Sequence, residues 1–139
     1  GINHLTKSGD VRKCFDLVHN YLIPDGLFIF DVNTPHKFAT VYAQNDYVLE
    51  DEGVLFAWQN DWNEKTKKCT FYMSVFTENT DGSWHREDGE QTEKCYTLTT
   101  LKRLLTKSGF ELISVTDGYS FDEPDAECDR WCITARCIK

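Results

Sequence analysis

The sequence has no long apolar run, few basic residues and no Cys-x-x-Cys pair, and each absence excludes a class of protein. No apolar stretch approaches the roughly 20 residues that a helix needs to cross a bilayer, and no basic segment with an apolar core opens the chain. The 15 Lys and Arg against 23 Asp and Glu give a net charge of -8, which repels a nucleic-acid backbone. We expect a cytoplasmic protein whose partners are neither membranes nor nucleic acids.

The six cysteines do not form a metal-binding pattern. Cys128, Cys132 and Cys137 are spaced by four and five residues, whereas zinc sites usually contain the two-residue gap of Cys-x-x-Cys. The other three cysteines lie in a predicted helix and in strand-like runs, which suits reduced thiols packed as small hydrophobic side chains. The sequence predicts no metal site.

What the sequence does contain is enough apolar material for one core. Of its 139 residues 40% are hydrophobic and 14% aromatic, and neither an internal repeat nor a low-complexity tract is present. The first residues, GINHL, show no helix cap, no Met and no start of a strand. We therefore expect that the chain has been cut from a longer protein.

The first 32 residues predict a helix, a turn and a strand. Apolar residues recur at helical spacing over residues 9–22, with Ser8 as the predicted cap, and Pro24 and Gly26 then reverse the chain. The following run, LFIFDV, is apolar on both faces, which is typical of an interior parallel strand covered by helices. The apolar stripe of the helix is predicted to consist of Val11, Cys14, Phe15, Leu17, Val18, Tyr21 and Leu22.

The rest of the chain predicts strands that surround one further helix. Alternating residues around polar turns at 63–67 and 80–82 predict an antiparallel sheet within residues 47–96, whose acidic stretch HREDGEQTE is interpreted as a solvated strand and turn. Thr97 opens an amphipathic helix that Gly109 ends in a left-handed turn, with Phe110 packed beneath it. Two more strands follow, and the last one places Trp131, Ile133, Ala135 and Cys137 on one face.

These elements, in this order, resemble the C-terminal half of class I S-adenosylmethionine-dependent methyltransferases. That family carries an L-x-P-G-G-x-x-x-x-D stretch at its fifth strand and a Gly-Phe pair before its sixth. The matching positions here are Leu22, Pro24, Gly26, Asp31, Gly109 and Phe110, with Asp25 where the first Gly usually stands. The segment GINHLTKSGDVRKCF is similar to the one that follows the fourth strand of the family.

The resemblance implies an α/β fold with a partial Rossmann-like methyltransferase sheet. Residues 1–46 and 97–139 supply its last three strands and two helices, and residues 47–96 form an inserted antiparallel lid, so the isolated chain is expected to look α+β. Because the family's fourth strand is missing beside LFIFDV, this strand should expose an apolar edge and the preceding helix should lose part of its cover. We expect such an edge to produce a homo-oligomer.

The cofactor-binding motif of the family is not present. Its members hold S-adenosylmethionine with a G-x-G-x-G turn, and no G-x-G occurs in these 139 residues. The expectation is a fragment, inactive alone and binding no cofactor itself, whose parent uses S-adenosylmethionine to methylate a small molecule. The alternative is a stand-alone, non-catalytic binding or assembly module derived from a methyltransferase.

Candidate site residues follow from where ligands bind in open α/β sheets, outside the carboxyl ends of the strands. Asp31, Asn33, Thr34 and His36 come after LFIFDV, and on the family analogy Asn3 and His4 enter from the opening segment. Trp58 and Tyr72 would belong to an aromatic lid over the substrate. Methyl transfer requires no particular catalytic residue type, so no catalytic residue is assigned.

Four of these candidates also have a purely structural interpretation. Asp31 could be a general base or a local turn stabiliser, and the turn role is the more common one. His36 could accept a proton or be solvated in an exposed loop. Trp58 and Tyr72 could cover the site or give a small sheet its core.

Overall fold

The computed structural model describes residues 1–139 and contains two antiparallel sheets, two α-helices, one 3₁₀ turn and one π-helix. In chain order these are the 3₁₀ turn Ile2–His4, α1 Ser8–Tyr21, β1 Leu27–Asn33, the π-helix Lys37–Tyr42, β2 Tyr47–Asp51, β3 Val54–Asn63, β4 Lys68–Glu78, β5 Trp84–Lys94, α2 Leu98–Lys107, β6 Phe110–Asp117 and β7 Arg130–Cys137. Neither α-helix is both long and apolar enough to span a bilayer.

The first sheet has three strands in the order β1-β7-β6, and both pairings are antiparallel. Because successive side chains of a strand point to opposite faces, every second residue of β7 faces the helices. Ile133, Ala135 and Cys137 lie on this face and are fully buried, as predicted. The larger hydrophobic core of the molecule lies between this face and α1 and α2.

The second sheet has four strands in the order β2-β3-β4-β5, all antiparallel. Its turns after β3 and β4 lie where the polar residues predicted them. The inner face packs on the π-helix and forms a second, smaller core of Phe38, Tyr42, Cys69, Phe71 and Cys95. The sequence supports a mixed α/β chain, and the structure confirms it, with the all-antiparallel pairing that gives an α+β appearance.

Two elements of this region were not predicted. In β2 four of the five residues are exposed, so its sequence carries no in-and-out alternation. Its turn to β3 uses Glu52 and Gly53, both with positive φ, rather than the Asn-Gly pair that marks such hairpins. The side-chain repeat of a π-helix matches neither that of an α-helix nor that of a β-strand. The hydrophobic pattern of residues 37–42 therefore did not predict an element.

The helix predictions are confirmed for α2 and partly wrong for α1. The Thr97 hydroxyl accepts a hydrogen bond from the Thr100 N–H, and Gly109 has a φ of 82°. In α1, however, Ser8 is the first helical residue and no side chain caps the helix. The predicted apolar stripe is also too wide, because Leu17 and Tyr21 are exposed.

The prediction that β1 is an interior parallel strand buried on both faces is wrong within this chain. β1 pairs only with β7, in the antiparallel sense, and Leu27 and Ile29 on its outer face are 54% and 60% exposed. The expected free edge is therefore present. On α1, Phe15 keeps its cover, with its ring 5.6 and 5.3 Å from those of Phe28 and Phe30, whereas Val18 is only partly buried.

Candidate functional site

A polar cavity of about 250 Å³ lies where β1 ends and the two sheets meet. The 3₁₀ turn, the π-helix, the end of β5 and the start of β7 all reach it. Its polar wall is formed chiefly by Asn3, His4, Asp31, Asn33, Tyr42, Glu93 and Arg130. These side chains come from positions up to 127 residues apart, so only the tertiary fold assembles them.

Asn3 joins the two sheets beneath this cavity. Its Oδ1 accepts a hydrogen bond from the Asn33 N–H at 2.9 Å, while its Nδ2 donates to the Lys94 carbonyl at 3.0 Å. The side chain is almost fully buried, and both of its partners would otherwise be unpaired backbone groups at strand ends. Asn3 therefore fixes the end of β1 relative to the end of β5.

The Asn33 side chain is the centre of the polar network. Its Nδ2 donates to Glu93 Oε2 at 2.9 Å and to the Tyr42 hydroxyl at 3.4 Å, and its Oδ1 accepts from Lys37 Nζ at 3.2 Å. Lys37 and Tyr42 are five residues apart, and the π-helix brings them side by side, with Nζ 5.2 Å from the ring centre. The π-helix thus orients two polar groups toward the end of β1.

Asp31 forms an ion pair across the sheet. Its Oδ2 accepts hydrogen bonds from Arg130 Nη1 on β7 and from the Tyr119 hydroxyl at 3.1 Å. Partial burial alone would raise the pKa of Asp31, but the hydrogen bonds and charge of Arg130 and Tyr119 outweigh it and lower the pKa. The Arg130 pKa is raised, because the bond and charge of Asp31 outweigh its own burial.

Burial and charge also change the pKa values of the two π-helix groups. Burial, reinforced by the Glu93 carboxylate, raises the pKa of Tyr42 to about 12. The pKa of Lys37 is lowered, first by burial and then by the nearby Arg130, although Asp129 and Glu93 act in the opposite sense. The Tyr42 hydroxyl is therefore neutral across the physiological range and serves as a hydrogen-bonding group.

The structure brings four of the predicted site residues together and separates the other four from them. Asn3, His4, Asp31 and Asn33 share the cavity. Thr34 is fully buried and donates to the Cys128 carbonyl at 2.6 Å, which is a structural contact.

The other three residues lie outside the cavity wall. The His36 ring nitrogen is 3.1 Å from Asp129 Oδ1 at the protein surface. The Trp58 ring packs against Tyr42 and Phe71, with ring centres 6.5 and 5.6 Å away, and its indole N–H is buried without a partner. Tyr72 pairs with Gln59 on the opposite face of the sheet and is 45% exposed, so the structure does not bring it to the cavity.

Sequence reasoning missed Tyr42, Lys37, Glu93 and Arg130. Glu93 is the last residue of the stretch HREDGEQTE that was interpreted as solvated, and that interpretation is wrong for it, because its register opposite the buried Cys69 turns it inward. Arg130 opens β7 at the position paired with Asn33. No local sequence pattern marked any of the four, and the decrease in exposure over the last three residues of β5 is visible only in the structure.

The fold over the whole chain is that of the S-adenosylmethionine-dependent methyltransferases. A solved S-adenosylmethionine-dependent methyltransferase from Clostridium acetobutylicum ATCC 824 superposes on all of this chain with a TM-score of 0.89 and 25% identity, over 55% of its own length. The CcbJ methyltransferase from Streptomyces caelestis shares the fold at a TM-score of 0.80, with 12% identity over 99% of this chain and 57% of its own.

Sequence comparison agrees with the structural one. No protein-family model matches the chain. It is 27% identical over 129 residues to "Putative methyltransferase YqeM" of Bacillus subtilis (strain 168), covering 93% of this chain and 52% of that protein. A similarly named protein of Geobacillus sp. (strain WCH70) is 23% identical over the same shares.

These findings confirm the resemblance to class I S-adenosylmethionine-dependent methyltransferases. The chain spans about half the length of the curated relatives it matches. S-adenosylmethionine is the cofactor of this class, since the solved relatives are S-adenosylmethionine-dependent methyltransferases and one of them has S-adenosylmethionine bound.

Proposed function

We propose that this chain forms the acceptor-binding part of an S-adenosylmethionine-dependent methyltransferase that methylates a small molecule. The observation that carries the proposal is the polar cavity at the carboxyl end of β1, in a chain whose whole length shares the methyltransferase fold. In open α/β sheets ligands bind outside the carboxyl ends of the strands. A volume of about 250 Å³ suits a small acceptor rather than a macromolecule.

The residues of the cavity would act by positioning. Methyl transfer depends on alignment and on exclusion of water more than on a covalent intermediate. Asn33, fixed by Asn3 and Glu93, presents a rigid polar surface to the acceptor. The imidazole of His4, whose side chain is 45% exposed, is placed to accept the proton that the acceptor loses.

The residues of this chain do not form a complete site for S-adenosylmethionine, which supplies the methyl group when bound. The four glycines with positive φ lie in the β2–β3 turn, in the β4–β5 turn, after the end of α2 and after the end of β6. None of these positions is a glycine-rich turn between a strand and the start of a helix, where such a cofactor's backbone contacts arise. We therefore propose that residues outside this chain hold the cofactor and that the chain is inactive alone.

Calorimetric titration with S-adenosylmethionine tests this division. We expect no measurable heat from the 139-residue chain. We expect saturable binding, and transfer of a labelled methyl group to a small acceptor, from a longer natural reading frame that contains it. Micromolar binding by this chain would contradict the division. If the natural protein were of this length and bound no cofactor, the non-catalytic binding or assembly module would replace the proposal.

Two further features support inferences about the state of the protein. The six cysteines are free thiols, four of them buried, which suits the reducing cytoplasm. The free edge of β1, with Leu27 and Ile29 exposed beside it, supports self-association of the chain into a homo-oligomer.

A further inference from the structure

We propose that the cavity selects an acceptor that carries an amine, and that Glu93 is the residue which determines this specificity. The inference rests on the proposed function, because it takes the polar cavity as the acceptor site. It adds the chemical class of the acceptor and the group that recognises it.

Glu93 is a nearly buried carboxylate with an incomplete set of partners. Its side chain is only 12% exposed, and Oε2 accepts one hydrogen bond, from Asn33 Nδ2 at 2.9 Å. The nearest basic group to Oε1 is the His4 ring nitrogen at 3.4 Å, and no Lys or Arg lies within 4.0 Å. Buried carboxylates are normally paired and fully hydrogen-bonded, so Oε1 has room for a further donor.

The charges around the cavity favour a cation over an anion. Asp31 is already paired with Arg130 and bonded by Tyr119, so these two charges offset each other. Glu93 is the carboxylate of the wall that has no Lys or Arg within 4.0 Å, so no direct ion pair with either offsets its charge. Lys37 does not bond Glu93 directly, because its Nζ donates to Asn33 and lies over the Tyr42 ring, although the two charges act on each other across this network.

The size of the cavity limits the acceptor to one small ring or a short chain. Its volume of about 250 Å³ equals the share of about eight water molecules in the liquid. An amine of that size can place its N–H groups at Glu93 Oε1 while the rest of the molecule contacts the Tyr42 ring. A protonated amine gives a charge-assisted hydrogen bond, which an alcohol of the same shape cannot match. Before methyl transfer it must pass one proton to the His4 imidazole, which frees the lone pair of the nitrogen.

Three probes of similar shape and different charge test the proposal on the 139-residue chain. Cyclohexylamine, cyclohexanol and cyclohexanecarboxylate would be titrated at neutral pH, and the side-chain amide signals of Asn3 and Asn33 followed by NMR. We expect the amine to shift these signals with an affinity about fivefold to tenfold greater than the alcohol's, and the carboxylate to shift them least. Equal affinities, a preference for the carboxylate, or no shift of either amide would overturn the proposal.

Matched variants assign the preference to one side chain. Glu93→Gln keeps the shape but removes the charge, and the amine should then bind no better than the alcohol. Glu90→Gln is the control, because Glu90 is exposed on the opposite face of β5 and should leave the preference intact. Retention of the preference in Glu93→Gln would overturn the assignment.

Two features keep the test decisive. If Glu93→Gln loses its dispersed amide spectrum and does not fold, the wild-type titration alone still supports or refutes the amine preference. The test also separates this inference from the proposed function, since it measures selectivity without methyl transfer. An amine preference in a protein that never transfers methyl groups would leave the inference standing and remove the proposed function.

Discussion

Four consecutive residues at the end of β1 have four different roles. Asp31 forms the ion pair with Arg130, Val32 is fully buried in the core, Asn33 is the centre of the cavity network, and Thr34 bonds the Cys128 carbonyl. A strand changes the direction of its side chains at every residue, so neighbours in sequence enter different environments. In the structure the side-chain bonds of Asp31 run across the sheet to Arg130 and to Tyr119 rather than to a local turn.

The Asp31 ion pair predicts a pH-dependent loss of stability. The pKa of Asp31 is lowered from its usual 3.8, so the pair stabilises the protein above that pH and is lost as the pH falls through the folded pKa. We expect Asp31→Asn to lower the free energy of unfolding by about 1 kcal/mol near about pH 6, and by progressively less as the pH falls below 3.8.

Urea denaturation at several pH values, followed by tryptophan fluorescence, measures this difference. Glu123→Gln is the control, because Glu123 is an exposed loop residue for which no ion pair or side-chain hydrogen bond is found, and its effect should not change with pH. A loss in Asp31→Asn that is equal at both ends of the pH range would contradict the prediction.

At the scale of elements, the ends of helices decide how they pack. Gly109 follows the end of α2, its φ of 82° turns the chain into β6, and His19 of α1 lies directly over it. A Cβ added at Gly109 would lie 2.5 Å from His19 Nε2, and this nitrogen is also 2.9 Å from the Ile138 carbonyl oxygen. The same glycine therefore serves both the turn and the contact between α1 and the end of the chain.

Substitution of two glycines separates these effects. Gly82 has the same φ of 82° but nothing within 4 Å of an added Cβ, so Gly82→Ala should cost about 1 kcal/mol, from backbone strain alone. Gly109→Ala should cost about 3 kcal/mol, because His19 must also move.

Urea denaturation of the two single variants, of His19→Ala and of the double variant His19→Ala with Gly109→Ala measures the coupling. Without the imidazole, the cost of Gly109→Ala should fall to about that of Gly82→Ala. Equal costs for both glycines in the wild-type background would show that His19 contributes nothing.

The whole molecule consists of two sheets with separate cores, and the outer side of β1 is not covered. The inner face of each sheet is packed, by α1 and α2 in one case and by the π-helix in the other. The outer side of β1 has no such cover, and its edge has backbone groups with no neighbouring strand. Surfaces of this kind favour association with another strand.

Light scattering at increasing concentration tests the proposed self-association. We expect a mass that rises above 16.2 kDa, and Ile29→Lys should return the protein to the monomer, because a charge on the outer face of β1 opposes burial of that face. Val48→Lys is the control, since Val48 is 68% exposed on β2 of the other sheet. A monodisperse wild-type monomer at high concentration would contradict the proposal.

The sequence predicted the elements whose signals are local. The cap at Thr97, the left-handed turn at Gly109 and the alternation in β3, β4 and β7 depend on residues within a few positions of one another, and the structure confirms them. The rule on strand ends suggested Asp31 and Asn33 and the family analogy suggested Asn3 and His4, and these four side chains share one cavity, whose role as the site stays a proposal. Burial of LFIFDV was predicted wrongly, because an apolar run does not state which of its faces has a neighbour.

Only the tertiary structure decided which distant side chains complete the site. Glu93 reaches Asn33 across 60 residues and Arg130 reaches Asp31 across 99, through strand pairings whose register no local pattern encodes. The sequence by itself determined the family resemblance and the identity of the elements, because these depend on local order and spacing. The charge, shape and partners of the cavity depend on how two sheets meet, and that is a property of the folded chain.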